Sequence, residues 1–76
     1  MTANADLGAR ARAIADKAPR GSLTRQAAGC CAVAFGTTAT PAAARKVLDM
    51  IEADDIKAAA AELVAELLAE AAGITS

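Results

Sequence analysis

Few residues in this 76-residue chain are suited to chemistry. It contains no histidine, so general acid–base work falls to carboxylates, lysines or the two thiols. Those thiols, Cys30 and Cys31, are adjacent. A disulfide between neighbours is strained, and two thiols without histidine cannot complete a tetrahedral zinc site or form an activated nucleophile pair. On a helix their side chains diverge by about 100°, which places one in the core and the other nearer its edge. Reduced structural thiols of this kind fit a cytoplasmic protein. Asp49, Glu52, Asp54 and Asp55 form the densest carboxylate group. They fall where one helix is expected to end and the next to begin, so capping accounts for them, and they lack the ligand alternation of a calcium loop. There is no glycine-rich phosphate loop. A non-enzymatic protein with no cofactor and no metal is expected.

Charge is unevenly distributed although the net value is −1. Residues 1–46 carry seven Arg and Lys against Asp6 and Asp16, whereas residues 47–76 carry Lys57 against seven Asp and Glu. The acidic half contains Glu62, Glu66 and Glu70, spaced every four residues and so aligned on one helical face. Like charges at that spacing repel, and the last lies toward the negative end of its helix. A basic partner would relieve both effects. With the adjacent Leu68, these three residues form the expected protein-interaction face, for another protein or for a second copy of the chain. The basic half supports an alternative. A short helix, the Pro19–Ser22 turn and a second helix opening with Thr24-Arg25-Gln26 outline a helix-turn-helix DNA-binding regulator. In it Arg25 and Gln26 would read bases while Arg10, Arg12 and Arg20 hold phosphates.

Either surface requires a scaffold, and the material for one is thin. Alanine fills 24 positions, while Leu, Ile, Val, Met and Phe together fill 16. A chain of this length buries about 60% of its unfolded surface, so a core this poor favours self-association, with a homodimer expected. Nineteen uncharged residues lie between Arg25 and Arg45. They are too rich in Ala and Gly, and too interrupted by Thr and Pro41, for a membrane span or an export signal.

Helical periodicity divides the chain into four segments, near residues 6–18, 22–35, 41–52 and 55–72, with no strand pattern. Asn4 or Asp6 is expected to cap the first, Ser22 the second, Thr40 (before Pro41) the third, and Asp54 or Asp55 the fourth. Pro19-Arg20-Gly21, Gly36 and Gly73 are the stops. The second segment has no polar face, so it should be buried all round and central, with Gly29 at a close helix crossing. The expected fold is an all-α, alanine-rich bundle in a single domain over residues 1–76. Its core or dimer packing draws on Leu7, Ile14, Phe35, Val47, Leu48, Ile51, Ile56, Leu63, Val64 and Leu67.

Overall fold

In the computed structural model, residues 4–71 are described. They form α1 (Asn4–Lys17), α2 (Leu23–Gly36), α3 (Pro41–Leu48) and α4 (Asp54–Ala71). The expected all-α bundle is therefore what the chain adopts. Its Cα radius of gyration is 11.3 Å, close to the roughly 11 Å of a single compact domain of this length. The second helix is central: α2 packs against every other helix, most extensively α1 and then α4.

Local chemistry sets most of the helix limits. Ala18 N–H still bonds back to Ile14 and Ala15, but Pro19 cannot continue the ladder. The chain turns through Arg20 and Gly21, with Ser22 N–H on the Pro19 carbonyl and Gly21 at φ +78°, a value glycine adopts without strain. The Ser22 and Thr40 hydroxyls each accept from the backbone N–H three residues on, Arg25 and Ala43 respectively, both at 3.2 Å. These are the expected caps.

Other limits differ from expectation. α1 begins at Asn4, whose side chain does not cap it. Instead Asn4 Nδ2 donates to the Thr38 carbonyl and hydroxyl oxygens at 2.9 and 3.0 Å, tying α1 to the α2–α3 loop. Gly36 is not a left-handed stop. α2 closes through Thr37, whose N–H and hydroxyl both donate to the Val33 carbonyl. α3 ends at Leu48 rather than near residue 52, because Met50 and Ile51 N–H bond three residues back and tighten the chain out of the helix. Asp54 and Asp55 sit inside the first turn of α4, where their charge suits the helix dipole, and the ladder starts from the Ala53 carbonyl. The expected stop at Gly73 lies outside the described residues.

The core lies where α1, α2 and α4 meet. Its largest fully buried side chains are Phe35, Leu7, Leu67, Val64 and Cys31, with Leu48 and Leu63 also buried and alanines between them. Ile14 and Ile51 are only half-buried against its edge, and Ile56 is half-buried apart from it. Val47, expected in core or dimer packing, is 38% exposed and so is not part of the core. An eight-residue α3 turns only Ala44 and Leu48 fully inward, so Val47 is left on the rim.

The close helix crossing is at Gly8, not Gly29. A Cβ at Gly8 would lie 3.4 Å from Phe35 Cβ and 3.5 Å from the Ala32 carbonyl oxygen, whereas a Cβ at Gly29 would meet nothing within 4 Å. Nor is α2 buried all round. Its outer face stays open, and Val33 on that face is 59% exposed.

Candidate interaction surface

The open face of α2 forms one side of a groove. Gln26, Gly29, Cys30 and Val33 recur at the i, i+3, i+4, i+7 spacing that keeps side chains on one stripe. Val47, Leu48 and Ile51 from α3 and the segment after it, with Ile56 from α4, form the opposite wall. The space between them is about 730 Å³. Gly21 and Arg25 complete the lining, and among the described residues Arg25 is its only charged side chain.

Arg25 is half-buried, and its Nη1 donates to the carbonyl oxygens of both Ala15 and Ala18 at 3.2 Å. It thus binds the carbonyl end of α1, sharing the Ala15 oxygen with the Ala18 N–H and adding a donor to the Ala18 oxygen. The residue to which the DNA-binding alternative gives base reading fastens α1 to α2. Gln26 beside it is exposed along the groove. Arg12 and Arg20 are exposed, and Arg10 Nη1 lies 3.5 Å from Glu70 Oε2 across the α1–α4 surface.

The acidic face of α4 is distributed as follows. Glu62 and Glu66 are exposed beside a cleft of about 160 Å³ that also involves Thr24, Ala27, Ala59 and Leu63. Glu70 is drawn to Arg10, and Leu68 is half-buried against the core. None of these four residues lines the α2 groove.

The two thiols divide as their angular separation requires. Cys31 is fully buried and its Sγ donates to the Ala60 carbonyl oxygen at 3.6 Å, joining α2 to α4. Burial, with a smaller contribution from the neighbouring Cys30, pushes the Cys31 thiol up to about 11. Cys30 is half-buried on the groove side.

Gly29, Cys30 and Val33 were not among the expected interaction residues. Their signal was their shared stripe, but an uncharged helix gives no polar residue to say which stripe faces outward. No helix among the described residues is long and apolar enough to cross a membrane. No protein-family model, curated protein or solved structure matches the chain.

Proposed function

We propose that this chain is a small non-enzymatic protein-interaction module that acts in the cytoplasm and binds apolar side chains of a partner in the α2 groove. The observation that carries this reading is the groove itself. In a chain with 16 large apolar residues, Val33, Val47, Ile51 and Ile56 are left partly or largely exposed along one depression instead of inside the core. Contiguous exposed apolar surface with a polar rim is characteristic of interaction sites. The acidic Glu62–Glu66 face of α4 serves as a separate contact for basic groups. The DNA-regulator reading is less well supported, because Arg25 is committed to the end of α1 and Arg10 faces Glu70.

A photo-crosslinking amino acid at position 33, compared with one at the exposed Ala13 of α1, tests the reading in cells. A discrete protein adduct from position 33 alone, identified by mass, is expected. Equal labelling from both positions, or none from either, would refute the groove assignment. In parallel, a salt-sensitive mobility shift with duplex DNA that is lost in Arg12→Ala and Arg20→Ala would favour the regulator.

A further inference from the structure

We infer that the occupant of the α2 groove is the α2 helix of a second copy of this chain, in an antiparallel pair about a twofold axis. The inference rests on the groove being an interaction site, as proposed above, and three observations select a second copy.

The first is shape. The outer stripe of α2 carries both a notch and a ridge. Gly29 leaves open space where a side chain would stand, and Val33, four residues later, is largely exposed. The two are separated by about 6 Å along the axis, one helical turn. A twofold axis passing at the level of residue 31 sets each Val33 over the other copy's Gly29. The same patch then serves both partners, which an isologous interface requires.

The second is charge. The stripe from Gln26 to Val33 carries no ionised group, so pairing it with itself confronts no like charges. Among the described residues Arg25 is the lone cation of the lining, and this arrangement sends the two Arg25 side chains to opposite ends, about 18 Å apart along the axis. That exceeds the screening length of roughly 8 Å at physiological salt. Each Arg25, held at the end of its own α1, then lies level with the carbonyl end of the other α2, at Gly36 and Thr37, where the helix dipole is negative.

The third is composition. The second segment has no polar face, and α1, α3 and α4 cover only part of it. A second α2 covers the rest, while Val47, Ile51 and Ile56 form a wall for it to pack against. Cys30 then lies beside the twofold axis in both copies.

Sedimentation equilibrium on the wild type, Gly29→Leu, Val33→Glu and Glu66→Lys tests this. Gly29→Leu is the decisive variant, since a Cβ at that position meets nothing within 4 Å and the side chain would extend into the groove. The wild type is expected at twice the 7.5 kDa chain mass. Gly29→Leu and Val33→Glu should fall to one chain mass with helical circular dichroism retained, and Glu66→Lys should remain a dimer. A short bismaleimide should join Cys30 to Cys30 in the wild type only. A wild type that stays monomeric to millimolar concentration overturns the inference, as does a dimer that survives both groove substitutions. The crosslink from position 33 separates the two readings. An adduct to a different protein from a monomeric chain would leave the groove standing and remove the second copy, and no adduct would remove both.

Discussion

Gly8 of α1 lies against Phe35 of α2 so closely that a Cβ at position 8 would stand 3.4 Å from Phe35 Cβ. That is ordinary contact for one methyl group, with no room for a branch. Gly8→Ala should therefore change unfolding free energy by less than about 1 kcal/mol, the helix-propensity gain offsetting the tighter fit. Gly8→Val should lower it by about 2 kcal/mol through overpacking. Equal denaturation midpoints for the two variants would show that the helices do not cross here.

Arg25 is expected to act on stability. Arg25→Met keeps the aliphatic stem but removes the donors to Ala15 and Ala18. A loss of about 1–2 kcal/mol should follow, the scale for a charged hydrogen bond at a half-exposed site. Amide exchange should accelerate selectively in the last turn of α1. Unchanged exchange there would mean that the guanidinium does not hold that end.

The Cys31 thiol makes stability depend on alkaline pH. Its ordinary value is 9.0 and burial raises it to about 11 in the folded chain. The unfolded state therefore gives up this proton first. The contribution is fully present below pH 9 and declines until about pH 11, by a total of about 2–3 kcal/mol. The difference in unfolding free energy between the wild type and Cys31→Ala isolates this group from titrating lysines. A difference that is flat across that window would place the thiol in contact with water.

Ser22→Ala should cost about 1 kcal/mol by leaving the Arg25 N–H without its cap, and Ser22→Gly only a few tenths. Chemical denaturation of both variants distinguishes cap loss from a general effect of the turn.

The Arg10–Glu70 pair is half exposed on both sides. Arg10→Ala should leave the midpoint of thermal unfolding unchanged at physiological salt, since solvent screens such pairs. A clear drop would show that the pair helps to clamp α4 against α1.

These expectations draw on information that the sequence holds unevenly. The four helices were legible because their boundaries are written in local chemistry: Ser22, Thr40-Pro41 and the Pro19–Gly21 turn act within three or four residues of themselves. The amphipathic phase of α4 was equally plain, since Ile56, Leu63, Val64 and Leu67 alternate with glutamates. α2 was the opposite case. After Arg25 it carries no charge, so nothing local fixed its rotation, and Gly29 read as a crossing point when it lies on the outer stripe. The position of Val47 was hidden for a related reason. It shares the periodic stripe of α3, but only Ala44 and Leu48 of that helix reach the core, and Val47 lines the groove instead. Arg25 was legible as a cation and not as a link to α1, because the carbonyls it meets have no counterpart in side-chain pattern.

Among the described residues, half of the fourteen buried in the core are alanines. The mutational character of this interior is consequently inverted relative to a leucine-rich one. Truncation has little left to remove at Ala11, Ala27, Ala28, Ala34, Ala44 and Ala60, so vacated volume is seldom the hazard. Nearly every heritable change at those sites adds atoms to a lattice of close backbones. The family of sequences able to keep this fold is thus bounded from above in side-chain size, and drift within it should run through exchanges among Ala, Gly, Ser and Cys.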